Sequence, residues 1–252
     1  MSDQPERKGL VSRIWRLSTL MPGDSSSGLR GRSLKAMSSV VSSAGKFLQG
    51  INPIWNQDKE FLAVYDSVRE IATLDKKCAY VLFNMVKHCQ NIAGDMAELG
   101  VYKGGGSKII LSRAKPEKCL HMFDTFAGFP PVNADKDLFE EGDFANVNAE
   151  NIRKEFAGAN IRLYVGRFPD TTDQVPQDAK FCFVHIDADL YQSQLDGCKF
   201  FYPRMNRGGV MLLDNYGSLS CPGAKTAVDE FFADKPEHVI YLPTAQAFVI
   251  KL

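Results

Sequence analysis

From residue 58 to 92 the apolar positions recur at helical spacing. Phe61, Val64, Tyr65 and Val68 form one stripe, and Ala79, Leu82, Phe83 and Val86 form another. The spacing predicts helices here, ended by Asn91 to Gly94. Beyond residue 95 the period changes. Short apolar runs at 96–99, 119–123, 161–165, 181–186 and 210–213 read as strands. Helices are predicted at 108–111, at 195–202 with a stop at Pro203, at 224–232, and from an Asn148 cap through Ile152 and Phe156. Runs at 239–242 and 247–250 close the chain, joined only by Pro243 to Gln246, a link that suits an antiparallel pair. Apolar strands alternating with helices predict an α/β fold. It is a doubly wound, mostly parallel sheet buried on both faces, with an antiparallel edge strand. In such sheets ligands sit at the carboxyl ends of strands.

Composition narrows the class. The chain has 252 residues, 44% apolar and 24% charged, enough to bury a core without disulfides or metal staples. Thirty basic residues balance thirty acidic ones, so no overall charge draws it to nucleic acid. No apolar run approaches the roughly 20 residues of a membrane span. The six cysteines form no CxxC pair and read as reduced thiols of a cytoplasmic protein. The balance hides an asymmetry. Residues 1–50 carry eight Lys/Arg and three acids, a net of +5, and are rich in serine. They read as a flexible basic arm, with packing on a partner subunit or targeting as alternatives. Residues 51–92 read as a helical cap over the site or a dimer face, so a homo-oligomer stays open, and 93–252 form the sheet domain.

The acids fall at predicted strand ends. Glu98-Leu99-Gly100-Val101-Tyr102-Lys103-Gly104-Gly105-Gly106-Ser107 is a strand end, a Gly-rich turn and a helix start. A dinucleotide site would show GxGxxG; here an acid precedes the first glycine, where it would repel a phosphate. That argues against a nicotinamide-dependent oxidoreductase and suits a ligand with hydroxyls and a cationic end, such as S-adenosylmethionine. Asp124 lies 24 residues after Gly100, the spacing of an acid that bonds ribose hydroxyls, and can equally cap a helix. His185-Ile186-Asp187-Ala188-Asp189-Leu190-Tyr191 and Asp214-Asn215-Tyr216-Gly217 bring Asp187, Asp214 and Asn215 together from adjacent strands. Such oxygen ligands suit magnesium or calcium. His185 reads as a core histidine or a support of that site. Residues 134–147, with Gly142, suggest a mobile lid or a plain surface loop.

These motifs, with Phe123-Asp124-Thr125-Phe126-Ala127-Gly128-Phe129-Pro130, Gly166-Arg167-Phe168-Pro169-Asp170-Thr171 and Cys221-Pro222-Gly223-Ala224, occur in one order from about Leu74 to Phe248. In this the chain resembles the macrocin O-methyltransferase (TylF-type) family, S-adenosylmethionine- and metal-dependent enzymes that methylate sugar hydroxyls of antibiotics. The resemblance implies a Rossmann-like class I methyltransferase fold over 93–252. It implies that Glu98, Gly100, Tyr102, Gly104 and Ser107 line the methionine end of the cofactor, with Asp187 beside them, and that Asp124 holds the ribose. Asp187, Asp214 and Asn215 would ligate Mg2+ or another divalent cation, and Asp189 would be the general base. The acceptor is a hydroxyl of a sugar on a natural product or glycan.

The chain departs from the family pattern in reading Asp214-Asn215-Tyr216 where Asp-Asp-Tyr is usual, and in carrying one extra glycine in the turn. Catechol O-methyltransferases, more distant, share the Asp…Asp-Asn set but place a lysine base where this chain has Leu190. A catechol-type enzyme and a non-catalytic cofactor-binding protein are the alternatives.

Overall fold

The computed structural model of the protein describes residues 53–252, so the basic arm expected at 1–50 lies outside the described residues. Two helices come first. α1 (Lys59–Val68) is capped by Asp58, whose carboxylate accepts from Phe61 N. α2 (Lys76–Cys89) is capped by Asp75, which accepts from Lys77 N and Cys78 N. The stripe expected on α2, Ala79, Leu82, Phe83 and Val86, is buried; on α1 Phe61 and Val68 are buried and Val64 and Tyr65 half-buried against the same core.

Then strands and helices alternate: β1 (Asp95–Leu99), α3 (Gly105–Arg113), β2 (Leu120–Asp124), α4 (Ala149–Glu155), β3 (Ile161–Val165), β4 (Phe181–Ile186), α5 (Tyr191–Phe201), β5 (Met205–Leu213), α6 (Pro222–Phe232), β6 (Ile240–Tyr241) and β7 (Ala247–Ile250). The sheet order is β3-β2-β1-β4-β5-β7-β6. The first five strands run parallel. β7 is antiparallel to both β5 and β6. The reversed strand is therefore one place in from the edge, because the two-residue β6 pairs on its outer side.

Alternation along each strand separates two cores. On one face Met96, Leu120, Met122, Val210 and Leu212 meet α1, α2, α3 and the buried Ile152 of α4. On the other, Leu99, Phe123, Ile186, Met211 and Leu213 meet Cys198 and Phe201 of α5 and Val228 and Phe232 of α6. The helical segment before residue 92 thus shares the sheet's core rather than standing apart from it. All of β4 is buried, as its unbroken apolar run requires.

Boundaries moved where turn chemistry outweighs hydrophobic period. α3 begins at Gly105 rather than 108, immediately after the left-handed Gly104 at its N-cap. β5 begins at Met205, ahead of Val210, because a register shift between Phe181 and Phe183 carries the pairing past Gly208 and Gly209. No helix among the described residues is long and apolar enough to cross a membrane.

The chain end is fastened by Glu237, which is 4% exposed. It accepts from Tyr202 Oη at 2.7 Å, from Lys251 Nζ and from Leu252 N at 3.3 Å. Burial alone would raise this carboxyl; the three donors instead hold it down, at about 2. A depressed folded-state value means that its stabilisation is full above the ordinary carboxyl range and is lost as pH falls toward 2. Glu237→Gln is expected to cost on the order of 1–2 kcal/mol at neutral pH. It should also flatten the acid side of the stability curve, read by urea denaturation at pH 7, 4.5 and 3.

Candidate active site

β1 and β4 are neighbours although the chain leaves β1 toward β2. Their carboxyl ends therefore bound the switch point of the sheet, where a doubly wound fold opens a crevice. A cavity of about 300 Å3 lies there. Glu98, Gly100, Tyr102, Asp124, Asp187, Asp189, Asp214 and Asn215 all line it. Two residues expected in its wall stand behind it. Gly104 is the α3 N-cap and abuts the Phe156 ring. Ser107 is fully buried and gives its hydroxyl proton to Glu98 Oε2. Gly100 sits where a Cβ would lie 1.9 Å from the Asp187 carbonyl oxygen, so β1 and β4 end as close together as backbone allows.

Beneath the cavity runs a buried charged tie. His185 Nδ1 lies 3.0 Å from Glu98 Oε1, and its Nε2 lies 3.1 Å from Asp214 Oδ2. The imidazole is completely buried, and Glu98 and Asp214 are nearly so. Burial would push the imidazole down, but its hydrogen bonds to the Asp214 and Glu98 carboxylates, and their charges, carry it well above its usual value. Glu98 thus has Ser107 on one oxygen and His185 on the other. Asp214 uses Oδ2 on His185, leaving Oδ1 buried without a partner.

Above this tie stand the half-buried Asp187 and Asp189. Asn215 Nδ2 donates to Asp187 Oδ1 at 3.1 Å and also to Asp189 Oδ1. Cys221 Sγ donates to the same Asp189 oxygen at 3.3 Å. Burial, then the charges of Asp214 and Asp189, push Asp187 well up. Asp189 is raised to about 7 by burial first, with the Cys221 hydrogen bond pulling back and Asp214 adding to the rise. Asp189 and Asn215 hold φ of 56° and 62°, left-handed positions that aim both side chains from tight turns. Oxygens of Asp187 and Asp214 and a ring nitrogen of His185 all lie within 4.8 Å of one another.

Asp124 serves the turn. Its Oδ2 accepts from Val101 N at 2.8 Å and Tyr102 N at 2.7 Å, and its Oδ1 from Phe126 N at 2.8 Å. A carboxylate has lone pairs beyond these three bonds, so it can still face a ligand hydroxyl.

Part of the wall was not read from the sequence. Thr73, Leu74, Asp75 and Cys78 contribute from the start of α2, and Thr244, Ala245 and Gln246 from the turn before β7. Gln246 is 1% exposed, takes the Thr244 hydroxyl on Oε1 at 3.0 Å, and leaves Nε2 unpaired. Nothing in spacing marked these residues; Thr244 to Gln246 are brought to the site by the β5–β7 pairing, and Thr73 to Cys78 by the packing of α2 on the sheet. Phe129, Phe139 and Phe144 close the remaining side, packed edge-to-face or tilted against one another at 4.8 to 5.8 Å between ring centroids.

Sheet order, crevice and acidic strand ends together define a Rossmann-like fold of the class I methyltransferase type. Solved structures with this fold include the O-methyltransferase NovP (TM-score 0.60, 24% identity, 70% of this chain and 80% of that one) and the calicheamicin methyltransferase CalS11 (TM-score 0.57, 19% identity, 99% and 94%). Residues 80–242 match the family described as macrocin-O-methyltransferase (TylF), and the chain belongs to that family. It is 30% identical over 159 residues to the demethyldecarbamoylnovobiocin O-methyltransferase of Streptomyces niveus, covering 57% of this chain and 60% of that protein. It is 28% identical over 149 residues to a tetracenomycin rhamnosyl 4'-O-methyltransferase of Streptomyces olivaceus, covering 53% and 57%. The chain thus spans about three fifths of the length of these relatives.

Removing one member of a buried charge network strands the others. His185→Leu is expected to destabilise the protein by about 3–5 kcal/mol, and His185→Gln by less, because its amide can still serve one carboxylate. Chemical denaturation of the two variants checks the order.

Proposed function

We propose that the protein is an S-adenosylmethionine-dependent O-methyltransferase that acts on a sugar hydroxyl of a natural product or glycan, with a divalent cation orienting the acceptor. The observation that carries this reading is the charge of the cavity. Six carboxylates line it, from Asp75, Glu98, Asp124, Asp187, Asp189 and Asp214, while no lysine or arginine among the described residues does. Such a wall repels a pyrophosphate, and with it a nicotinamide dinucleotide. It favours a ligand that carries an ammonium and a sulfonium, and a hard cation.

The residues fit both groups. Asp187 and the unpaired Oδ1 of Asp214 would hold the cation, joined by the Asn215 carboxamide once it turns its oxygen inward. The bound cation would lower the pKa of the acceptor hydroxyl and orient it. Glu98 and the backbone at Gly100 and Tyr102 would receive the amino-acid end of the cofactor, and Asp124 its ribose. S-adenosylmethionine supplies an electrophilic methyl group and departs as the thioether.

The chain's own work is to align and to move one proton. Asp189 accepts the hydroxyl proton as the oxygen takes the methyl group, and its carboxyl, raised to about 7, is suited to exchanging a proton near neutrality. Cys221 and Asn215 hold it in place from two sides. The phenylalanine wall keeps water from the transfer. Leu190, where a catechol enzyme would have its lysine base, is 2% exposed and packs with Phe139, Cys221 and Ala224. This supports a sugar-type acceptor, as the rhamnosyl group in the name of the Streptomyces olivaceus relative does. A cytoplasmic site of action accords with the six free cysteines.

Calorimetric titration of the wild type with S-adenosylmethionine is expected to give micromolar binding; no binding, with magnesium or without, overturns the reading. Asp214→Ala should retain that binding. It should lose more magnesium affinity than the roughly 10–100-fold typical of outer-shell changes. Full turnover in the presence of a chelator would defeat the metal role alone.

A further inference from the structure

Asp137 is a buried acid that the transfer chemistry does not use. It is 3% exposed, although it lies in the long connection between β2 and α4. That connection closes on itself at its neck, where Phe129 N donates to the Asp143 carbonyl at 2.8 Å and Gly142 N to the Phe129 carbonyl at 3.0 Å. Asp137 lies in the middle of the loop. Its Oδ1 accepts from Tyr191 N at 2.8 Å, and its Oδ2 accepts from Asn133 N at 3.1 Å.

Tyr191 is the first residue of α5, and the preceding Leu190 supplies no side-chain cap. The helix that follows Asp187 and Asp189 is thus capped from a distance by the loop. The same oxygen lies 2.2 Å from where a Cβ on Gly223, in the first turn of α6, would stand. The carboxylate therefore rests against the positive ends of two helices at once. Lys136 adds a bond to Glu230 Oε1 of α6 at 3.0 Å. The neck carries Phe129 and Phe144, and Phe139 lies beside Asp137; all three face the cavity. At the far end of the segment, Asn146 accepts from the Tyr102 hydroxyl at 2.7 Å.

We infer that Asp137 is a positioning residue, a latch that fastens segment 129–147 as a wall over the bound cofactor and in turn seats the start of α5 behind Asp189. The inference rests on the methyltransferase reading for the ligand it retains, but not for the contact itself. A latch of this kind sets the rate at which ligand escapes, since the wall must lift before the cofactor leaves.

The experiment measures S-adenosylmethionine dissociation by stopped flow, and amide hydrogen exchange of the free protein, for wild type, Asp137→Ala and Asp137→Asn. In Asp137→Ala, dissociation is expected to be at least tenfold faster, with faster exchange confined to 129–147 and the start of α5. Asp137→Asn keeps an acceptor oxygen and should return the rate to within about threefold of wild type, a rescue that a general loss of stability would not show. Gly223→Ala is the independent variant, should Asp137→Ala fail to fold. It leaves Asp137 in place but drives a methyl group into its seat, and it should speed dissociation likewise. Dissociation in Asp137→Ala and Gly223→Ala within twofold of wild type, with unchanged exchange at 129–147, overturns the latch. Absence of cofactor binding to wild type would defeat the methyltransferase reading, and the exchange arm would then decide the contact by itself.

Discussion

The structure around the cavity depends on one imidazole between two carboxylates. Glu98, His185 and Asp214 come from or just beyond β1, β4 and β5, three adjacent strands, so their contacts cross the centre of the sheet. Taking these groups out of water is expensive, and only mutual pairing makes it tolerable. Such a tie also specifies register. Glu98 pairs with His185 across β1 and β4, and sliding either strand by one residue would turn one partner to the opposite face. The acids at the strand ends can converge because the residues beneath them cannot slip.

The same tie organises the electrostatics above it. One positive imidazole answers two carboxylates, leaving Asp187, Asp189 and Asp124 to be met from elsewhere. Backbone amides of the glycine turn and of Phe126 serve Asp124. Asp187 and Asp189 have a carboxamide and a thiol, both weaker partners than a cation, and both are displaced upward from the ordinary carboxyl range. The acids nearest the unpaired Oδ1 of Asp214 are thus the ones least compensated by the protein. That asymmetry makes the far side of the crevice attractive to positive charge, while the turn side is already neutralised by the backbone.

Much of this was legible in the sequence, for identifiable reasons. Strand ends announce themselves where an apolar run meets an acid, which puts Glu98, Asp124, Asp187 and Asp214 at one rim of the sheet. The two faces of the sheet followed from alternation and from unbroken runs such as 181–186. Ser107 and Gly104 were misplaced for want of helix phase. An extra glycine leaves the start of α3 undetermined by pattern, and one position of shift turns a wall residue into a buried one. His185, read as a core residue or a support of the site, is fully buried and bonds two acids of the cavity wall. Gln246 and Asp137 were invisible as site residues, because their positions depend on long-range pairing and on a loop path that local periodicity does not encode. The structure also brings the loop at 134–147, read as a lid or a surface loop, against the cavity through its phenylalanines.

Asn215 stands where the family resemblance leads one to expect an aspartate, and the geometry shows what the carboxamide does there. Its Nδ2 reaches an oxygen of Asp187 and one of Asp189. An aspartate here would exchange both attractions for repulsions, adding a carboxylate to a cluster already poor in compensation. With asparagine, the two acids are held in place by the protein itself. The carboxamide retains an oxygen that can be turned toward a cation, so what changes is charge, not donor type. One fewer negative charge weakens the attraction for any divalent ion, but it also lowers the cost of assembling the rim. The adjoining phenylalanine wall strengthens each remaining charge by excluding water. Asn215 and the aromatic wall thus act in opposite directions on the same quantity, the hold of an acidic rim on positive charge.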